Sequence, residues 1–199
     1  MVWGSPIFPD KVGRYRDYYF KRIADFFGIE YTTGDYTFKY GFKSLGEGVK
    51  TSPDVEIEYP EQIRIGDHIQ LRKGVVLQPH KKYKLSIGDY TGINPFVCIY
   101  GRVPIGKYVM IAPHVIIAGG NHAFEDTETP MIMQSKSTNE WVIIDDDVWI
   151  GANAVILDGV YIGNGAIGEA GPVVTKSVES YDIVARNPSV KINQRKGRK

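Results

Sequence analysis

The sequence predicts an all-β fold, a parallel β-helix wound from a single chain into about six coils. Three observations carry that reading. Isoleucine recurs at every sixth position at Ile87, Ile93, Ile99, Ile105, Ile111 and Ile117; the count resumes at Ile144, Ile150, Ile156 and Ile162, with Gly168 and Val174 at the next two steps. Small or β-branched residues fill the position four later, as at Thr91, Val97, Val103, Val109 and Val115, and again at Val148, Ala154, Val160 and Ala166. Glycine follows the apolar position at Gly66, Gly88, Gly106, Gly151 and Gly163, where a backbone without Cβ can turn a corner. An α-helix cannot keep one face apolar at this period, because about 3.6 residues per turn carries the stripe around its axis. A coil whose sides are each one hexad can.

The elements follow in order. Residues 11–28 (KVGRYRDYYFKRIADFFG) place Tyr15, Tyr18, Tyr19, Arg22, Ile23, Phe26 and Phe27 at helical spacing, with Asp10 able to cap the start and Gly28 the end. The spacing predicts a short helix covering an end or side of the coils; Arg14, Arg16, Lys21 and Arg22 leave a membrane-surface helix open as the alternative. Residues 1–44 are thus expected to be a helical or irregular cap, 45–185 the β-helix, and 186–199 a basic tail. The hexad begins loosely at Leu45, Thr51 and Ile57, shifts by two, and restarts at Ile65, Leu71 and Leu77. A short loop, QPHKKYK, precedes the strict run. At AIGEAGPV (166–173) Gly168 falls where an inward aliphatic is expected, with Ile167 beside it. A local register adjustment is expected there, since a one-residue slip turns a side chain to the other face.

A chain of 199 residues with 43% hydrophobic content suits one domain with a substantial core. The formal charge of +1 gives no general argument for nucleic acid or an anionic membrane. No apolar run approaches the roughly 18 residues of a membrane span, and MVWGSPIFPDKVGRYR lacks a signal-peptide apolar region. The single Cys98 cannot form an internal disulfide, which fits a reducing, cytoplasmic setting. Within NPFVCIYG it reads as a wall residue, with no matched His and Asp pattern for a nucleophile.

The interruption at 118–143 is a loop extruded from a rigid scaffold, where function concentrates, and it carries Asn121-His122. The stretches IAPHVIIAGGNHAFED, VIIDDDVWIGANAVILDGV, VVTKSV and YDIVARNPSVKI form an ordered set. On these, residues 45–195 resemble the hexapeptide-repeat acetyltransferases: the galactoside, maltose and nodulation-sugar O-acetyltransferases, their polysaccharide-modifying relatives, and the streptogramin-type xenobiotic enzymes. The resemblance implies a left-handed coil sense, against the usual right-handed crossover. It implies a homotrimer with each site between two protomers, acetyl-CoA as co-substrate, and a sugar or glycan hydroxyl as acceptor.

In such a family His122 matches the loop histidine that acts as general base. A sugar hydroxyl attacks a thioester poorly until its proton is removed, and an imidazole titrating near neutrality suits that task. The oxyanion that builds up needs nearby N–H donors, and direct transfer in a ternary complex requires no covalent nucleophile. Glu125 or Asp126 could orient the imidazole; Asn121 shapes the turn or touches acceptor. His114 stands in IAPHV where the family motif commonly has Asn, and with Asn94 it is assigned to the acceptor side. Trp149, outward from the wall, is expected to line the acceptor or pantetheine cleft between subunits, whereas Trp141 could cover the cleft or merely anchor the loop. Ala152 and Ala170 match the pantetheine slot, and Thr175, Lys176 and Lys191 the coenzyme A phosphate side. The ending NPSVKIN displaces the lysine of the usual NPAKVIR by one.

Three alternatives stand beside this reading. A drug hydroxyl could replace the sugar. A γ-type carbonic anhydrase would use His80, His114 and His122 around zinc, but Asn121-His122 lies in a loop rather than at a tight wall spacing, so no metal is expected. A catalytically silent scaffold would have no need of the whole motif set.

Overall fold

The structure, a computed structural model, describes residues 41–79, 84–134 and 140–196. The helix expected over 11–28, the rest of the cap up to residue 40, and His80 lie outside the described residues.

Among those described, the regular structure is strand apart from two 3-10 turns. The first coil comprises β1 (Ser44–Leu45), β2 (Lys50–Thr51) and β3 (Glu56–Ile57); the second, β4 (Ile63–Ile65), β5 (Gln70–Leu71) and β6 (Val76–Gln78). The third holds β7 (Leu85–Ile87), β8 (Gly92–Ile93) and β9 (Cys98–Gly101), and the fourth β10 (Pro104–Ile105), β11 (Met110–Ile111) and β12 (Ile116–Gly119). The fifth has β13 (Ile143–Ile144), β14 (Trp149–Ile150) and β15 (Val155–Ile156), and the sixth β16 (Tyr161–Ile162), β17 (Ile167–Gly168) and β18 (Val173–Val174). Each third strand pairs in parallel, which builds three faces: β1-β4-β7-β10-β13-β16, then β2-β5-β8-β11-β14-β17, then β3-β6-β9-β12-β15-β18. The fold is a parallel β-solenoid. A seventh turn begins where Val178 bridges Ile162 and β19 (Asp182–Ala185) adds to β17. The chain then reverses: β20 (Val190–Gln194) pairs antiparallel with β19, so part of the stretch 186–199 is a hairpin strand.

Both periodic positions point inward. Ile93, Ile99, Ile111 and Ile117 are fully buried, and so are Val97, Val103, Val109 and Val115. The one polar member of that ladder is satisfied: the Thr91 hydroxyl donates to the Gly106 carbonyl at 3.0 Å and accepts the Val109 N–H at 3.1 Å. The corner glycines avoid a Cβ clash, as the sequence predicts. Gly88 provides clearance for the neighbouring coil; a Cβ there would sit 2.6–2.8 Å from the Gly106 carbonyl group and the Lys107 nitrogen. The left-handed turn itself falls two residues later on non-glycine residues, His68, Tyr90 and Tyr108 (φ 55–59°). The Tyr90 and Tyr108 N–H groups donate to the Asp67 and Asp89 carbonyls of the preceding coil, at 2.8 and 2.9 Å. Their rings stack along the edge, His68 on Tyr90 at 4.8 Å and Tyr90 on Tyr108 at 5.4 Å.

The expected register adjustment at Gly168 does not occur. Gly168 pairs with Ile150 and Ile167 with Trp149, in line with every coil before. A slip would break the ladder to both neighbouring coils, whereas a missing side chain leaves only a gap. A Cβ at Gly168 would meet nothing within 4 Å. Gly168→Ala is therefore expected to stabilise the fold by about 0.4–1 kcal/mol, read from a denaturant midpoint; destabilisation would mean that the backbone there needs glycine.

Candidate active site

The solenoid has three edges, and its long insertion leaves at one of them, between β12 on the third face and β13 on the first. His122 lies three residues past the end of β12, exposed, and its backbone N–H donates to the Asn121 side-chain oxygen at 2.9 Å. That hydrogen bond joins neighbouring residues at the loop base. Beyond it the loop is tied to itself. The Asp126 carboxylate accepts the N–H groups of Glu128 (2.9 Å) and Thr129 (3.3 Å). Hydrogen bonding by the Thr129 side chain, then by these amides, holds its carboxyl below the usual range. Gln134 donates to the Asp126 and Thr129 carbonyls at 2.7 and 2.8 Å. Asp126 is thus occupied within the loop, while Glu125 stays exposed beside the histidine. The 3-10 turn Met131–Met133 presents three exposed apolar side chains, Ile132 being 90% exposed.

Thr175 and Lys176 follow β18 on this same edge, two coils further along, and both are exposed. Ala152 and Ala170 belong to another edge, between the second and third faces, where the Gly171 N–H donates to the Ala152 carbonyl at 2.8 Å. Asn94 and His114 share that second edge. The Asn94 amide donates to the Ile111 carbonyl at 2.8 Å, and the His114 ring stacks on Phe96 at 5.1 Å. His114 and His122 therefore lie at opposite ends of β12 and are not brought together. Trp149 is on the second face, opposite the His122 edge; it pairs with Met110 and Ile167, and it and Met110 are 47% and 55% exposed.

Lys191 is engaged: its ammonium lies 2.6 Å from the carboxylate of Asp182, which is 5% exposed. Arg195 folds onto the wall, donating to Asp147 and to the Gly165 carbonyl, both at 2.9 Å. Sequence reasoning missed a shallow depression on the first face lined by Pro104, Ile143, Asp145 and Asn164. At its side the Tyr161 hydroxyl donates to Asp145, and this bond raises the hydroxyl above its ordinary titration range. Only the period marks these residues in the sequence, because their grouping depends on which hexads stack. Among the described residues no group of three His, Cys, Asp or Glu could hold a metal, and no helix is long and apolar enough to cross a membrane.

Comparison with known proteins places this geometry. The family profile "Hexapeptide repeat of succinyl-transferase" matches residues 141–176. A probable macrolide acetyltransferase of Lysinibacillus sphaericus is 38% identical over 47% of this chain and 61% of its own length. A 2,3,4,5-tetrahydropyridine-2,6-dicarboxylate N-acetyltransferase of Staphylococcus aureus is 40% identical over 45% of this chain and 32% of its own length. The chain thus spans less than two thirds of either relative. Among solved structures, the N-acyltransferase AntD of Bacillus cereus, in a variant complexed with dTDP-4-amino-4,6-dideoxyglucose and coenzyme A, superposes with a TM-score of 0.72 at 27% identity, covering 80% of this chain and 87% of that one. A hexapeptide-repeat acetyltransferase of Vibrio cholerae complexed with acetyl coenzyme A shares the fold, with a TM-score of 0.57 at 24% identity, over 94% of this chain and 89% of that one. In its hexad repeat and its stacked three-faced coils the chain is similar to these hexapeptide-repeat acyltransferases.

Proposed function

We propose that the protein is an acetyl-CoA-dependent acetyltransferase that acetylates a hydroxyl of a sugar or glycan, with His122 as general base. The observation that carries this reading is an exposed histidine held at the base of a self-tied loop, with an exposed lysine two coils along the same edge. As the acceptor oxygen attacks the thioester carbonyl, its proton passes to the imidazole; the tetrahedral intermediate then collapses, the C–S bond breaks and the imidazolium returns that proton to the departing thiolate, which leaves as the thiol. Coenzyme A complexes of the Bacillus cereus and Vibrio cholerae proteins support the donor.

The working assembly in this reading is a homotrimer. Trp149 and His122 lie on opposite sides of one solenoid, and Ala152 with Ala170 occupy a different edge from Thr175 with Lys176. A second wall from a neighbouring copy would turn these separated half-sites into one cleft. Asn94, Asn121, Glu125 and His114 remain on the acceptor side of this proposal. Lys191 serves it indirectly, by neutralising Asp182 and holding β20.

A second reading, an antibiotic-type acceptor, is favoured by the exposed apolar Met131–Met133 turn and by the likeness to the macrolide enzyme. The test is acetyl-CoA turnover, detected as released thiol, against free sugars, a nucleotide-linked amino sugar and a macrolide. Turnover confined to the amine would remove the hydroxyl acceptor from the proposal.

Lys176→Ala tests the donor half. Coenzyme A carries phosphates that acetyl-pantetheine lacks, and removing a charge-assisted hydrogen bond at an exposed site should raise the acetyl-CoA KM by roughly five- to thirtyfold. The rise should be steeper at low salt. The rate at saturating donor and the acceptor KM should stay unchanged, because the phosphates lie far from the reacting carbonyl. A weakened acceptor with an unchanged donor would assign Lys176 to the other half of the site.

A further inference from the structure

We propose that Arg102 and Asp158 form a latch that positions the loop bearing His122, a role that rests on reading His122 as the base. Both ends of the loop meet at Arg102. Its N–H donates to the Gly119 carbonyl, where β12 gives way to the loop, at 3.4 Å, and its own carbonyl accepts the Val142 N–H, where the chain returns, at 3.2 Å. Its guanidinium lies over the face of the Trp141 ring, a geometry in which the cation is attracted to the ring.

From the next coil Asp158 reaches the same segment. Its carboxylate accepts the Glu140 N–H at 3.1 and 3.2 Å and the Trp141 N–H at 3.1 Å. The Gly159 N–H then donates to the Trp141 carbonyl at 3.1 Å. Trp141 is therefore held by its ring, its N–H and its C=O, from the coil before and the coil after. It also adopts φ 74°, a left-handed conformation uncommon for a bulky residue. The same left-handed conformation recurs at other corners of the solenoid, at His68, Tyr90 and Tyr108; what sets Trp141 apart is the cation over its ring. Other corners are also bonded from coil to coil, as at Tyr90 and Tyr108, but here the bonded residue closes a long insertion and carries a cation on its ring. The arrangement fixes where the loop leaves and re-enters the wall, and so where His122 stands over the edge. Arg102 and Asp158 are positioning residues and touch no reacting atom in this account.

The experiment compares Asp158→Ala, Asp158→Asn and Arg102→Met in the full chain, by hydrogen exchange and by acetyl transfer. In Asp158→Ala and Arg102→Met, exchange over 120–134 should accelerate on the order of tenfold, with that of β9 and β15 unchanged. In the same two variants kcat should fall about 10–100-fold while the acetyl-CoA KM stays within about twofold. Asp158→Asn should recover much of both losses, because an amide oxygen still accepts the two N–H groups. If Asp158→Ala fails to fold, the other two variants decide. Unchanged loop exchange overturns the latch whatever the activity does, and faster exchange with unchanged kcat overturns its positioning role. His122→Ala, run in parallel, separates the two ideas: full activity there sinks the base assignment, and the exchange data still judge the latch.

Discussion

His122→Ala should lower acetyl transfer by about 10²–10⁴-fold while the protein stays folded and still binds acetyl-CoA. The separation of effects follows from where the residue sits. His122 is exposed and outside the core, and among the described residues its one hydrogen bond is the backbone N–H to Asn121, which alanine keeps. Loss of its imidazole therefore removes a proton acceptor without opening a cavity. The check is kcat with a turned-over acceptor, beside circular dichroism and donor binding by calorimetry. Retention of more than about a third of wild-type turnover would remove His122 as the base, since base catalysis typically supplies at least two orders of magnitude.

Gly88→Ala should destabilise the protein by about 2–4 kcal/mol, measured as a shift in denaturant midpoint. The added carbon would lie 2.6 Å from the Gly106 carbonyl carbon, 2.7 Å from its oxygen and 2.8 Å from the Lys107 nitrogen. All three are backbone atoms of the next coil, so no side chain can rotate away. Relief requires the coils to separate, which weakens the ladder bond from the Gly88 N–H to the Ile105 carbonyl (2.9 Å) and the packing beneath it. Gly168→Ala, on a different face, is expected to act in the opposite direction because its Cβ finds open space. Equal losses from both substitutions would show that glycine is needed for backbone conformation rather than for clearance.

The solenoid was legible because its information is local and repeated. Ile93, Ile99 and Ile105 mark successive sides of the wall, and each confirms the phase of the last. The loop was legible for the same reason: it is where the count stops. Gly168 misled because a lone glycine in a periodic pattern signals either a slip or a gap, and only pairing with Ile150 and Val184 distinguishes them. At Lys191 the sequence could not supply the partner: the hairpin of β19 and β20 brings it against a buried aspartate.

The period along the chain already specifies the three-faced β-solenoid, the inward residues and the position of the extruded loop at Asn121-His122. Which side chains share an edge or a face follows from how the coils stack. That stacking sets His114 and His122 apart at the two ends of β12, turns Trp149 to the face opposite the loop, and joins Arg102, Trp141 and Asp158 across three coils. The physical reason is that inward residues obey a hydrophobic rule applied at every step along the chain. Outward residues meet by stacking of coils, and a loop inserted between two coils changes the sequence distance between partners without changing their separation in space.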